Sequence, residues 1–233
     1  MSSHEAKPEH VRSNNEPLRA LRSLSGLTAA RVSDTLDEMA YRHQVMNPVV
    51  RPLSKGPAVI GRAVTVRFVP ATSEADPEDP YGDAIDLIDG LQPGDIVVIA
   101  TNGDSRSAYW GQLFSAAARG HGAVGAVCDG FVRDTPDIAE LGFPVFAQGN
   151  RPIDFRNRMQ IESVGSTVSC AGVEVTAGDL VVADDDGVVV VPRLLASEVA
   201  ERVSKRAGTE AAVLDELLDG ASLREVWFRH RVL

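Results

Sequence analysis

The hydrophobic positions along the chain follow two periods, and each period predicts a different kind of element. From Pro17 to Arg22 and from Thr28 to Tyr41, apolar residues recur three and four positions apart, which predicts helices. Further along, the period shortens to two, and the alternating Val64, Val66 and Phe68 predict a strand. The N-terminal part of the chain is therefore expected to be helical and to lead into a β-sheet.

The middle of the chain alternates apolar runs with helical segments. Ile96–Ala100 and Val124–Cys128 are continuous apolar runs, and Gly111–Arg119 between them is rich in alanine. Continuous runs indicate strands covered on both faces, as in a parallel sheet with helices on either side. Ile138–Leu141 then predicts another crossover helix, and Phe143–Ala147 predicts another strand. We therefore expect an α/β fold built around a doubly covered sheet.

The remaining segments predict a more antiparallel part, a closing helix and one long loop. Between Ile161 and Val191, short apolar runs alternate with turn residues, which is typical of antiparallel strands. Leu194–Leu218 predicts an amphipathic helix that is weakened near Gly208, because glycine is a poor helix former. Thr72–Asp83 contains prolines and five acidic residues, so we expect a surface loop.

The composition is that of a globular protein with an acidic surplus. Of the 233 residues, 23 are basic and 33 are acidic, which gives a formal net charge of −10. This charge argues against nucleic-acid or membrane partners, and small polar ligands fit it better. No apolar run of the sequence approaches the roughly 20 residues needed to span a bilayer. Since the two cysteines are also too few for a disulfide framework, we expect a cytoplasmic protein.

Local composition predicts one folded domain and a polar tail. Residues 1–16 are rich in Ser, Asn, Glu and His and are predicted to be disordered, because they bury little apolar surface. No linker interrupts residues 17–233, so we expect them to form a single domain.

Two motifs resemble known binding sites, and one short pattern occurs twice in the chain. Each of them has a simpler interpretation. Gly120–Gly125 matches G-x-G-x-x-G, yet a predicted helix precedes it and a strand follows, which reverses the order of a dinucleotide-binding site. Asp184–Gly187 resembles the start of a calcium loop, but the twelfth position is Leu195 instead of glutamate. The Gly-Asp pairs at 94–95 and 178–179 predict two similar turns, each of which leads into a strand.

The candidate chemistry lies between the helix that begins near Gly111 and the pair Arg133-Asp134. The first N–H groups of a helix lack intrahelical partners and carry the positive end of its dipole, so they favour a carboxylate. A helix of about nine residues spans ~14 Å and the strand after it returns by ~16 Å. The loop Asp129–Asp134 is therefore expected to end beside the helix start. One carboxylate with several waters is a usual magnesium site, although an Arg-Asp pair on a surface is by default only a weak ion pair.

At these residues the sequence resembles a known family. Trp110–Phe114 and Gly122–Asp134, with the run G-x-V-x-D-G-x-x-R-D, resemble the class II HMG/CHA aldolases, also called the RraA-like family. The resemblance extends over most of the chain after residue 17, with further matches at Val32–Leu36, Gly61–Thr65 and Asp186–Pro192. It implies an α/β sandwich with a swivelling β/β/α character, assembled as a homotrimer or as a pair of trimers.

The resemblance also implies an activity and the residues that perform it. The family's aldolases are metal-dependent lyases that cleave 4-hydroxy-4-methyl-2-oxoglutarate or 4-carboxy-4-hydroxy-2-oxoadipate to pyruvate and a second oxo acid, and that decarboxylate oxaloacetate. By the same resemblance, Asp134 would hold Mg²⁺ or Mn²⁺ with its water shell, and Arg133 would bind the oxo oxygen and stabilise the pyruvate enolate. Glu210 is the candidate acid that the last helix contributes to a neighbouring subunit. The substrate carboxylate would be bound by the amides of Gly111, Gln112, Leu113 and Phe114.

One departure from the family pattern leaves alternatives open. Catalytic members carry an acid twenty residues before Arg-Asp, and this chain has Gln112 there, which can hydrogen-bond the catalytic water but cannot take its proton. Either another group holds the water, or the chain performs a related reaction with a different acid and base. Some family members are non-catalytic regulators that bind RNase E. Those regulators lack an intact Arg-Asp pair, so Arg133-Asp134 favours an enzyme.

Overall fold

The structure is a computed structural model that describes residues 18–19, 22 and 27–232. Its helices are α1 (Ala29–Glu38), α2 (Gly82–Asp89), α3 (Gln112–Gly120), α4 (Thr135–Leu141), α5 (Ala196–Leu218) and α6 (Leu223–His230). Its strands are β1 (Arg51–Pro52), β2 (Val59–Pro70), β3 (Asp95–Ala100), β4 (Gly125–Cys128), β5 (Phe131–Val132), β6 (Val145–Ala147), β7 (Gly149–Asn150), β8 (Met159–Val164), β9 (Val168–Cys170), β10 (Val173–Val175), β11 (Leu180–Asp184) and β12 (Gly187–Val191). The predicted tail at residues 1–16 lies outside the described residues.

The long strand β2 organises the main sheet. Within the described residues this sheet has the order β1-β6-β4-β3-β2-β11-β12, and β8 also pairs with β2. The pairs β2–β3, β3–β4 and β4–β6 are parallel, as the continuous apolar runs of β3 and β4 predict, and the other pairs of this sheet are antiparallel. Residues 59–62 of β2 pair with β11, and residues 66–70 pair with β8, with a shift in register between Arg67 and Phe68. The predicted change from a parallel to an antiparallel part is confirmed.

The edges of the sheet approach each other. The Val190 N–H donates to the Gln44 C=O, and the Met46 N–H donates to the Val188 C=O, so residues 44–46 lie along β12. The chain then continues into β1 on the opposite edge, where the Arg51 side chain donates to the Asp186 C=O. The sheet is therefore nearly closed and resembles a barrel.

Three hydrophobic clusters cover the sheet. Helices α2, α3 and α4 pack over β3 and β4 on one side, and the β9–β10 hairpin packs over the other side. Helices α1 and α5 pack together against β11 and β12. The α/β prediction of a sheet covered by helices is confirmed. Representative buried residues of the three clusters are Ile99 and Ile138, Val98 and Cys170, and Val182 and Val199.

The repeated Gly-Asp pairs form the same turn twice. Gly94 and Gly178 have φ values of +94° and +93°, which glycine adopts at little cost. In each turn the aspartate accepts a hydrogen bond of 2.8 Å from the N–H three residues earlier, Asp95 from Gln92 and Asp179 from Thr176. The interpretation of these pairs as two turns that lead into strands is confirmed.

Three helical details differ from the sequence predictions. Helix α5 runs without a break through the exposed Gly208, so the predicted weakening there is wrong. Its buried face and the ion pair from Arg206 to Glu210 offset the cost of one glycine, which is about 1 kcal/mol. Helices α2 and α6 were not predicted, and Gly82 and Asp83, at the end of the predicted loop, belong to α2.

Among the described residues, no helix is both long and apolar enough to cross a bilayer.

Candidate active site

Short backbone pairings bring the residues after β4 onto the start of α3. The Tyr109 N–H donates to the Phe131 C=O at 2.8 Å, and the Arg133 N–H donates to the Trp110 C=O at 2.9 Å. The segment before α3 therefore runs beside β5, at the carboxyl edge of β3 and β4, where open α/β sheets place their ligands. The predicted proximity of Arg133-Asp134 to Gly111 is confirmed.

Asp134 lies directly at the N-terminus of α3. Its backbone is left-handed, with φ of 57°, a conformation that aspartate tolerates better than most residues, and it forms the N-cap of α4. Its Oδ2 accepts a hydrogen bond of 3.2 Å from the Gln112 N–H, the first amide of α3. The positive end of the helix dipole stabilises the carboxylate charge there. The Gln112 amide, which was predicted to bind a substrate carboxylate, therefore already donates to Asp134.

Gly111 is required because the two segments approach so closely. A Cβ at this position would lie 2.8 Å from Asp134 Oδ2 and 3.3 Å from Arg133 Cγ. A side chain would therefore displace the carboxylate, although the φ of −158° is open to any residue. Glycine here makes the space in which Arg133 and Asp134 lie.

The donor set fits a hydrated divalent cation. The Asp134 side chain is 41% exposed, so a carboxylate oxygen is open to solvent. Among the described residues, no three His, Cys, Asp or Glu side chains gather as a ready-made metal site. An ion here would take one ligand from Asp134 and the others from water or substrate, which suits Mg²⁺ because this ion retains its waters.

Arg133 lies between two carboxylates. Its Nη1 is 2.8 Å from Asp154 Oδ2, and its Nε is 3.6 Å from Asp134 Oδ2. Asp154 Oδ2 also accepts a hydrogen bond of 2.8 Å from the Tyr81 hydroxyl, and its Oδ1 accepts one of 2.7 Å from the Arg156 N–H. Sequence reasoning missed Asp154 and Tyr81, because no motif or helical spacing links these positions to residue 133.

The other predicted residues of the first turn of α3 have different surroundings. Gln112 is half-buried, and Leu113 is 79% exposed beside the polar site. Phe114 packs against Trp110 with ring centroids 5.7 Å apart, so its side chain points toward the core. For Leu113 and Phe114, therefore, the backbone amides and not the side chains are the candidates for contact with a ligand at the helix N-terminus.

Glu210 lies in an ion-pair cluster between α1 and α5. Its Oε2 is 2.5 Å from Arg31 Nε, and its Oε1 is 2.7 Å from Arg206 Nε. These contacts are within its own chain and do not involve Arg133 or Asp134. Its contribution to a neighbouring subunit stays a prediction, and that role would have to coexist with or replace these ion pairs.

The loop after β3 contains the polar residues Asn102, Asp104, Arg106 and Tyr109. Tyr109 is buried, and its hydroxyl donates to Asp104 Oδ1 at 2.7 Å. Asp104 also accepts from the Arg106 side chain at 2.6 Å, so this pair supports the loop. Burial raises the pKa of Tyr109 above its ordinary value, as does the bond to Asp104. Tyr109 is therefore a structural residue.

A cavity of about 300 Å³ lies on the far side of Tyr81. Its walls include Tyr81, Arg156 and several acidic residues of the loop before α2, and they do not include Arg133 or Asp134. The candidate site is thus the open edge beside Gly111, and the cavity adjoins it through Tyr81 and Arg156.

The Arg133–Asp154 pair should make stability depend on pH in acid. Burial alone would raise the pKa of Asp154, but the bonds from the Arg156 N–H and Tyr81 and the charge of Arg133 together lower it. Such a group stabilises the fold above its unfolded pKa of about 4. This stabilisation is lost as the pH falls through the folded pKa.

We therefore expect wild type to be more stable than Asp154→Asn near neutral pH, and the difference to shrink on acidification. Urea denaturation at about pH 7 and about pH 3 measures the free energy of unfolding of both proteins. A difference that grows toward acid would contradict the lowered pKa.

Comparisons with known proteins find relatives over most of the chain. A family model described as RraA-like, Aldolase/RraA, matches residues 29–190. Protein DlpA of Legionella pneumophila is 28% identical over 205 residues, which cover 88% of this chain and 32% of DlpA. This chain thus spans about a third of the length of that relative. A Halalkalibacterium halodurans protein named "Putative 4-hydroxy-4-methyl-2-oxoglutarate aldolase" is 29% identical over 184 residues, which cover 78% of this chain and 80% of that protein.

A solved structure shares the fold. RraAS2 of Streptomyces coelicolor, described as an unusual member of the RNase ES inhibitor RraA protein family, superposes with a TM-score of 0.71. The two chains are 29% identical, and the match covers 87% of this chain and 96% of RraAS2. The fold expected from the resemblance is confirmed.

Proposed function

The chain belongs to the RraA-like family, and from this membership and the Arg133–Asp134 geometry we propose that it is a divalent-metal-dependent lyase. Its substrate would be a small oxo acid that yields pyruvate through the enolate, of the 4-hydroxy-4-methyl-2-oxoglutarate aldolase type with oxaloacetate decarboxylase activity. The observation that carries the proposal is the assembly of an arginine and a solvent-open aspartate at the N-terminus of α3.

Each group has a distinct task in this proposal. The carboxylate of Asp134 holds the cation, and the Gln112 N–H fixes that carboxylate in place. Bound Mg²⁺ or Mn²⁺ would act as a Lewis acid for the oxygens that gain charge. The Arg133 guanidinium faces the same space and stabilises the oxyanion as the C–C bond breaks. The amides of Leu113 and Phe114, next in the first turn of α3, orient the substrate carboxylate.

The test is the release of pyruvate, coupled to lactate dehydrogenase, from oxaloacetate and from 4-hydroxy-4-methyl-2-oxoglutarate. Wild type is expected to release pyruvate with Mg²⁺ or Mn²⁺ and to lose this activity in EDTA. Activity that survives EDTA would reject the metal-dependent lyase. If neither compound yields pyruvate with folded protein and added metal, the aldolase assignment fails.

Replacing Gln112 tests whether the missing acid limits the aldolase reaction. Decarboxylation needs an enolate sink but less help from a general base, so wild type should decarboxylate oxaloacetate better than it cleaves the aldol substrate. Gln112→Asp supplies a group that can accept a proton, and should raise aldol cleavage about 10-fold or more. Gln112→Asn, which also shortens the side chain but stays neutral, is the matched control. If both variants behave alike, the carboxylate is not what the site lacks.

A non-catalytic regulator of RNase E is the second candidate. The structural likeness to RraAS2 and the net charge of −10 favour it, since an acidic surface suits a basic partner. The intact Arg133-Asp134 pair favours the enzyme. Salt-sensitive binding and inhibition of RNase E, together with no pyruvate release, would select the regulator.

We also propose that the chain assembles as a homotrimer or as a pair of trimers. Leu113 supports an assembly that covers the site, because it exposes an apolar side chain beside polar groups. Light scattering coupled to size-exclusion chromatography gives the mass of the assembly. A monomer at assay concentration would remove the role proposed for Glu210.

A further inference from the structure

We infer that Asp154, itself held by Tyr81, is the positioning residue that fixes the Arg133 guanidinium over the Asp134 carboxylate. The inference rests on the proposed function, in which Arg133 meets the oxygen that gains charge. Asp154 would not touch the substrate and would act only through Arg133.

The contacts of Arg133 define the orientation of its guanidinium. The side chain is long and 39% exposed, so rotamer freedom must be removed for it to act as a fixed donor. Asp154 binds Nη1 at 2.8 Å, and Asp134 lies 3.6 Å from Nε. Two carboxylates on two edges of the planar group restrict its rotation, and they leave Nη2 to face a ligand oxygen.

Asp154 is well suited to hold another side chain, because it is itself fixed. Its side chain is only 22% exposed, and both of its oxygens accept further hydrogen bonds, from the Tyr81 hydroxyl and the Arg156 N–H. Its backbone pairs with Ala108, in the segment that leads to α3. The next residue, Phe155, is buried against the Tyr81 ring at 5.6 Å. The anchor therefore connects the start of α2 to the start of α3.

A second arginine–carboxylate pair shows what a merely structural contact looks like. Arg67 and Glu162 lie 2.9 Å apart on β2 and β8, and their side chains are 56% and 48% exposed. Such a pair contributes little, because solvent screens it and both side chains lose freedom. Arg133 differs because a displacement of about 1 Å in a reacting group can cost about 100-fold in rate.

The experiment compares Asp154→Ala, Asp154→Asn and Tyr81→Phe with Glu162→Ala as the matched control. With oxaloacetate and Mg²⁺, Asp154→Ala should lower kcat/KM about 100-fold, mainly through kcat. Asp154→Asn should recover most of this loss, because its amide oxygen still accepts from Nη1. Tyr81→Phe should cost about 3-fold, the equivalent of one weakened hydrogen bond, and Glu162→Ala should behave as wild type. In an Arg133→Ala background, Asp154→Ala should have no further effect.

Two measurements that do not require catalytic turnover distinguish this inference from the proposed function. The ¹⁵N signal of Arg133 Nε–H reports the orientation directly, and calorimetry reports the affinity for oxalate, a planar analogue of the pyruvate enolate. Asp154→Ala should move the signal and weaken oxalate binding, and Glu162→Ala should change neither. If wild type releases no pyruvate but binds oxalate in this Asp154-dependent way, the lyase proposal fails and the positioning role holds. An unchanged signal and unchanged affinity in Asp154→Ala, or no oxalate binding by wild type, would overturn the positioning role.

Discussion

Replacing Asp134 with alanine is expected to reduce metal-dependent pyruvate release about 1,000-fold, the loss typical of removing one strong stabiliser of a developing oxyanion. Asp134 is the carboxylate that the Gln112 N–H holds at the start of α3, and among the described residues no cluster of acids or histidines stands ready to replace it. The cation would therefore lose its protein ligand, and the assay with oxaloacetate over a range of Mg²⁺ concentrations measures the loss.

Two controls separate this effect from a general disturbance of the helix start. Asp137→Ala removes an exposed carboxylate one turn further along α4 and should leave turnover unchanged. Asp134→Asn keeps an acceptor for the Gln112 N–H, so it should fold as well as wild type while remaining inactive, because a neutral amide is a poor ligand for Mg²⁺. Metal-dependent activity in Asp134→Asn close to that of wild type would contradict the assignment of this residue.

The part of the site that could be predicted from the sequence is the part fixed by local geometry. The lengths of α3 and β4 bring Asp134 back to Gly111, and a helix N-terminus has unpaired amides whatever the fold. Asp154 and Tyr81 could not be predicted in this way, because they come from segments about 20 and 50 residues from Arg133. Their meeting depends on how α2 and the residues after β7 pack, which no period in the sequence reports.

The helices and strands can also be divided into those that local sequence predicts and those that depend on packing. The continuous apolar runs of β3 and β4 predicted buried parallel strands, because strands of that kind need no polar face. Helix α2 was missed although Ala84, Leu87, Ile88 and Leu91 have helical spacing, since the acidic loop before it obscured where it begins. Helix α5 continues through Gly208 because packing on α1 and on β12 outweighs the low helix propensity of one residue.

The second large effect is expected on stability, and it concerns the buried carboxylate of Asp129. This carboxylate is only 3% exposed, and it connects three parts of the fold. Its Oδ1 accepts from the Thr101 N–H at 2.6 Å and from the Thr101 hydroxyl at 2.8 Å, and its Oδ2 accepts from the Ala171 N–H at 3.3 Å. The ends of β3 and β4 and the β9–β10 hairpin therefore meet at one side chain, four residues before Arg133.

Asp129→Ala is expected to lower the free energy of unfolding by about 3 kcal/mol, because buried donors lose their acceptor. For a chain of this size, the melting temperature should fall by roughly 10 °C. Asp185→Ala, in the exposed turn before β12, is the matched control and should change stability by less than about 0.5 kcal/mol. Urea denaturation measures both variants.

A double-mutant cycle with Thr101→Val identifies the cause of the expected loss. Val has nearly the shape of Thr and removes the hydroxyl donor, so the two substitutions should be non-additive if the bond to Asp129 accounts for the cost. Thr101→Val should then destabilise wild type by about 1 kcal/mol and the Asp129→Ala variant by much less. Equal effects in both backgrounds would mean that Asp129 stabilises the edge of the sheet through its other contacts, and that the loop leading to Arg133 does not depend on Thr101.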